Sequence, residues 1–289
     1  MKKILLSAIA AFALNHSLMA QEDLLNMMNS EPAKPEPVMA TFKTTRILNG
    51  QSIEQVAAKH LDFRINHRFN KISDGFENFW GLDGARIRLS LEYGINDWAM
   101  VGIGRNNAGL KAWDYFGKFR ILRQTKDNSM PLSLSFLGTA AVNIVKTDKT
   151  KSLTDRTTYT WQLLLAKKFS DGISLQLSPG IIHRNQRETP EQANDLFNLG
   201  MGGRFKISKR VSFNLEYFLR ANAEKYSTQE LYNTFSFGFD IETGGHVFQL
   251  HVTNSSGLIE KDFMGGTSNR WSKGDILYGF NVSRVFSLK

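Results

Sequence analysis

From residue 61 to the C-terminal region, apolar and polar residues alternate with a period of two, again and again. Successive side chains of a β-strand point to opposite faces, so each such run reads as a strand with one greasy face and one polar face. Leu61, Phe63, Ile65 and Phe69 alternate with Asp62, Arg64, Asn66 and Arg68, and Ile87, Leu89, Leu91 and Tyr93 with Arg86, Arg88, Ser90 and Glu92. The pattern returns at 98–105, 112–124, 132–143, 159–165, 173–181, 197–207, 211–219, 235–241, 248–252 and 276–286, about twelve strands in all.

The connections sort by parity. Those at 96–97, 126–130, 170–172, 208–210 and 243–245 are short, whereas 71–83, 106–111, 146–156, 185–194, 221–230 and 254–274 are mostly long and polar. Short turns on one rim and long loops on the other are the mark of a bacterial outer-membrane barrel; a soluble sandwich has no reason to sort its loops this way. The predicted fold class is therefore all-β: a transmembrane antiparallel up-and-down barrel over residues 61–289, its apolar face against lipid. A charge at the midplane of such a face costs about 2–4 kcal/mol, falling away near the interfaces. Arg123, Lys167 and Arg284 share the apolar parity, and each lies near a short turn or the chain end. There a long side chain can reach headgroups. Trp98, Tyr115, Tyr159 and Phe169 fall near strand ends, as an interfacial girdle requires.

Composition removes several alternatives. A mean hydropathy of −0.29 is incompatible with a bundle of apolar membrane helices. The absence of cysteine excludes disulfides, thiolate metal sites, iron–sulfur ligation, thiol catalysis and a lipidated N-terminal cysteine. Residues 1–20 carry Lys2 and Lys3, an apolar stretch and Ala20, the order of a secretory signal peptide. Residues 21–60 are expected to form a Pro-rich tether that stays in the periplasm or enters the barrel mouth as a plug. Within them, 23–29 suggests a helical turn, 41–48 has strand-like content, Asn49-Gly50 is a turn signal and 52–59 suggests a short helix. Both termini are expected to face the periplasm of the bacterial outer membrane.

Tyr278-Gly279-Phe280-Asn281-Val282-Ser283-Arg284-Val285-Phe286 resembles the C-terminal signal read by the barrel-assembly machinery, although the chain continues through Leu288 and Lys289. Residues 40–46 and Asn49-Gly50-Gln51-Ser52 resemble the start of an uncharacterised Bacteroidota outer-membrane β-barrel family. Leu61-Asp62-Phe63-Arg64-Ile65, Tyr93-Gly94-Ile95 and Gly102-Ile103-Gly104-Arg105 fit the same family. The resemblance implies a barrel in the outer membrane and brings no catalytic residues.

The polar parity should line the lumen. It carries Arg64, Arg68, Arg86, Arg88, Lys118, Arg120, Lys168, Arg184, Arg204, Lys206 and Arg220 against Asp62, Glu92, Asp114, Glu216, Asp240 and Glu242. A cationic excess within a low-dielectric wall attracts anions, and guanidinium groups suit carboxylate and phosphate. The leading expectation is a narrow anion-preferring channel for small solutes. The competing one is a non-conducting scaffold in which these charges pair with one another and the barrel binds other outer-membrane or periplasmic proteins. Whether Arg64, Arg86, Arg88 and Arg120 meet water or acids separates the two. A lipid hydrolase is a weaker third reading, resting on His67 and His183, neither of which has a serine in a recognisable local pattern. His246 and His251 have opposite parities, so no shared metal site is expected. The partners implied are outer-membrane lipid and the assembly machinery. No cofactor and no nucleic acid are implied, for the basic residues are spread without a groove-binding helix or a stacking platform.

Overall fold

The computed structural model describes residues 35–148, 152–187 and 189–288. The leader over 1–20 and the helical turn expected at 23–29 lie outside the described residues. The chain divides into two units, residues 1–36 and 37–289, and only the second is described below. Its strands are β1 (His60–Lys71), β2 (Arg86–Asn96), β3 (Ala99–Asn106), β4 (Ala112–Leu122), β5 (Ser133–Asn143) and β6 (Thr157–Lys168). They continue as β7 (Ile173–Arg184), β8 (Asp195–Lys206), β9 (Val211–Arg220), β10 (Thr234–Thr243), β11 (His246–Thr253) and β12 (Leu277–Ser287). Each predicted run is found as a strand, with ends shifted by a few residues.

Each strand pairs antiparallel with its sequence neighbours, and β12 returns to β1 with Ile65 opposite Val282, closing a twelve-stranded barrel. Closure leaves no unpaired edge, which is the condition for crossing a bilayer with strands. The period-two pattern fixes the register faces. Leu89, Leu163, Leu175, Leu177, Phe239 and Leu250 are exposed on the outside, while Asn66, Ser90, Ser135, Thr160, Asn214 and Ser236 are buried on the inside. The charges that share the outer parity sit at strand ends. Lys167 lies 5.5 Å over the Phe169 ring and Arg284 lies 5.0 Å over Phe286, so each ammonium or guanidinium rests on a rim aromatic.

The interior departs from a water-filled lumen. Met100, Phe116, Leu137 and Leu164 point inward and pack against Phe42, Ile47, Ile53 and Val56 from the segment before β1. A second apolar cluster joins Ile182, Leu196 and Phe218 of the wall to Phe263 and Met264 of the β11–β12 connection. That connection carries one short helix, α1 (Glu260–Phe263). The strand-like content of 41–48 and the helix suggested at 52–59 are both corrected. The chain there makes bends and isolated bridges, Arg46 with Gln51 and Ala58 with Gly94. Lumen side chains satisfy much of its backbone, so no ladder or helical turn is needed.

The lipid-facing partition predicts that Leu163→Arg, at the centre of β6, destabilises the barrel by about 2–4 kcal/mol. Reversible urea unfolding in phospholipid vesicles measures it.

Candidate functional site

Residues 37–59 form a re-entrant hairpin. It leaves the short-turn rim beside β4, where the Val38 N–H donates to the Gln124 carbonyl (2.8 Å). It turns at Asn49-Gly50 deep in the barrel and returns to that rim, where the Lys59 N–H donates to the Gly94 carbonyl (2.8 Å) as β1 begins. The tip is gripped by a wall carboxylate. Glu216 on β9 accepts the N–H groups of Leu48 (3.1 Å), Asn49 (2.8 Å) and Gly50 (2.8 Å), three consecutive donors on one anion. From other strands, Asn281 on β12 donates to the Leu48 carbonyl (2.9 Å), Gln249 on β11 to the Ile47 carbonyl (2.8 Å), and Gln176 on β7 to the Gln51 carbonyl (2.8 Å).

The cations of the wall serve the same hairpin. Lys118 on β4 points its Nζ at Gln51 Oε1 (3.0 Å) and at the carbonyls of Ser52 (3.1 Å) and Glu54 (2.5 Å). Arg204 on β8 donates to the Ala40 carbonyl (3.1 Å), and Arg68 on β1 donates to Asn49 Oδ1. Lys43 of the hairpin pairs with Glu242 at the short-turn rim. Arg88 on β2 binds Asp114 on β4 at 2.6 Å, reaching across β3. Gly104 permits this, since a Cβ there would lie 2.6 Å from the Arg88 guanidinium and 2.7 Å from the Asp114 carboxylate. Arg64 pairs with Asp62 (2.9 Å) and approaches Glu92 (3.8 Å).

The β11–β12 connection enters from the opposite, long-loop rim. Its Phe263 carbonyl accepts from Thr234 Oγ1 (2.7 Å) and its Met264 carbonyl from Asn198 Nδ2 (3.0 Å). Its Glu260 carboxylate reaches Arg46 of the hairpin at 3.1 Å, and Arg46 is 1% exposed. The two insertions thus meet inside the barrel. Separate cavities remain at the two ends: about 410 Å³ at the short-turn rim beside Lys43 and Glu242, and about 390 Å³ at the long-loop rim beside Arg86 and Lys261.

The lumen candidates read from the sequence fall into three places. Arg64, Arg68, Arg88, Glu92, Lys118, Arg204 and Glu216 are buried in the middle. Arg86, Arg184 and Arg220 are half-buried near the long-loop rim, where they bind carbonyls at Phe69 (3.4 Å), Ala193 (3.0 Å) and Leu231 (2.5 Å). Arg120 donates to the Asp97 carbonyl (2.5 Å) near the short-turn rim. The two other inward cations lie at that rim: Lys206 is exposed, and Lys168 is half-buried with its Nζ on Asp171 (2.9 Å) and on the Met39 carbonyl (3.3 Å). Arg46 and Glu260 were not singled out by sequence because neither lies on an alternating run. Their only sequence signal is the Asn49-Gly50 turn, which places Arg46 three residues before the tip.

The outer-face histidines differ from one another. His67 stacks on Phe280 (centroids 4.8 Å apart). His183 holds Asp195 at 2.6 Å through Nδ1, an orienting contact, and no hydrogen bond from a serine to either imidazole is found among the described residues. His251 is buried against Arg68, and no cluster fit for a metal ion is present among the described residues.

Fold and lumen together define a membrane-spanning β-barrel of the porin-like type, occupied from both ends by its own chain. The chain belongs to the membrane-bound beta barrel domain family DUF5777, whose model matches residues 42–286 and so takes in the hairpin from residue 42 onward. No curated protein matches the sequence. Among solved structures, the NanC porin is similar with a TM-score of 0.53 at 10% identity, over 78% of this chain and 98% of that one. The KdgM porin gives 0.48 at 10% identity, over 78% and 99%. The outer membrane phospholipase A of Escherichia coli gives 0.41 at 11% identity, over 89% and 93%.

Hydrogen bonds to a charged partner are worth about 1.5–3 kcal/mol each, and about 1.4 kcal/mol is a tenfold change in an equilibrium. Glu216→Ala is therefore expected to speed amide exchange at Leu48, Asn49 and Gly50 by tenfold or more while the strands keep their protection. Hydrogen–deuterium exchange with mass spectrometry reads both.

Proposed function

We propose that this chain is a self-plugged, non-conducting barrel of the bacterial outer membrane, acting as a structural subunit for other envelope proteins. The observation that carries this reading is the hairpin tip: Glu216, Asn281, Gln249 and Gln176, from four different strands, are committed to the backbone of residues 47–51. Pairing of the wall charges supports it, since Arg88 is bound to Asp114 and Arg64 to Asp62. An exposed aromatic knot at the long-loop rim offers a contact surface. Phe76 is 76% exposed and packs edge-on against Trp80 at 5.4 Å. In this reading lipid covers the apolar face, the assembly machinery recognises β12, and both termini face the periplasm.

One observation favours a second reading, an anion-preferring channel that conducts when the hairpin leaves. Lys118, Arg68 and Arg204 all face the hairpin, and its departure would uncover a cationic wall. Planar-bilayer recording separates the two. The intact barrel is expected to be silent, and deletion of residues 41–55 to give a pore that prefers chloride to potassium. Steady conductance from the intact protein overturns the first reading; a silent deletion variant that keeps its heat-resistant barrel fold overturns the second.

The barrel is not proposed to be a hydrolase. Phospholipid hydrolysis by the purified protein is expected to stay at the background of a detergent blank, and His183→Ala to change nothing. Hydrolysis lost in that variant would reverse the assignment.

A further inference from the structure

The long-loop rim holds a polar cup of about 390 Å³, a volume suited to one small solute and built from three connections. Residues 108–110 form one side, Tyr226 and Leu231 another, and segments 255–257 and 265–268 the rest, so that four Ser and Thr residues and four glycines are among its lining. Its charges are Arg86, Lys261 and Asp262. Arg86 uses Nη1 on Asn70 Oδ1 (2.8 Å) and on the Phe69 carbonyl (3.4 Å), which leaves its other donors for the cup. Lys261 Nζ lies 2.8 Å from Asp262, a half-buried pairing at the lining that an incoming oxyanion can share.

Two more cations stand directly behind the lining. Gly266, at φ +99°, belongs to that lining. A Cβ there would come within 2.5 Å of Arg220 Nη1, a buried nitrogen with no hydrogen-bond partner in the structure. Arg184 lies 3.9 Å over the ring of Tyr226. Two lining cations, Arg86 and Lys261, against one lining carboxylate, Asp262, beside Ser and Thr residues and with Arg184 and Arg220 behind, fit a solute that carries both an oxyanion and hydroxyl groups. Guanidinium supplies the paired donors that carboxylate and phosphate accept, as Arg86 does in the lining, and the charge of Arg220 behind Gly266 adds to the field there.

We propose that this cup is a binding site for small hydroxylated oxyanions, of the sugar-acid or sugar-phosphate class. The site lies outside the hairpin and does not depend on whether the barrel conducts. Isothermal titration of the full chain in detergent, with gluconate, glucose 6-phosphate and glucose as probes, tests it. At least one anion is expected to bind about tenfold more tightly than glucose, and which one binds distinguishes carboxylate from phosphate. Arg86→Gln and Lys261→Gln should each weaken that binding about tenfold. Leu110→Trp, which narrows the cup without touching the lumen, should abolish it in a barrel that still resists heat in a detergent gel. Anions that bind no better than glucose overturn the proposal, as does binding unchanged in all three variants.

Discussion

Closing β12 onto β1 removes every strand edge from the lipid, but it turns half of the side chains of twelve strands into a confined interior. A polar side chain there needs a partner, and a charged one needs it more, because desolvation without compensation costs several kcal/mol. The chain supplies those partners itself. Glu216 takes three peptide N–H groups, Lys118 takes an amide oxygen and two carbonyls, and Arg204 takes the Ala40 carbonyl, so the hairpin is built to the donors and acceptors of the wall. This accounts for the irregular backbone of 41–53. Its groups are matched one by one to side chains instead of to a ladder.

Apolar packing reinforces the polar grip. Ile47 and Phe42 on the hairpin meet Phe116, Leu137 and Leu164 on inward positions that a water-filled pore would not favour. Burying a side chain of this size contributes about 1.5–3 kcal/mol. Together with the Glu216 cradle, these contacts make the hairpin a packed part of the barrel.

The strands were legible because membrane and lumen impose opposite chemistries on alternate residues, and each of the predicted runs is a strand in the structure. Parity also placed Arg64, Arg88 and Glu216 on the inside. It could not reveal that Arg88 would reach Asp114 over Gly104, since that contact skips a strand and depends on a missing side chain. Glycines in β3 and β8 make room for inward aromatics, since a Cβ at Gly102 or Gly200 would strike Phe116 or Phe218. Entry of the segment before β1 into the barrel and its turn at Asn49-Gly50 were among the expectations, whereas the hairpin's contacts and the β11–β12 insertion were the illegible part. Neither repeats with a period, and Glu260 in one helical turn gives no sign that its partner lies 214 residues away.

That pair has a consequence for how such a barrel could open. Arg46 arrives from the short-turn rim and Glu260 from the long-loop rim, and they pair in a buried interior where Arg46 also lies 4.0 Å from Glu92. Removing one member of a buried pair typically costs about 3–5 kcal/mol, because the charge left behind has lost its counter-ion. Glu92 shares that guanidinium, so withdrawing either insertion removes part of the charge pairing that holds the other, and the two insertions are thermodynamically linked through Arg46.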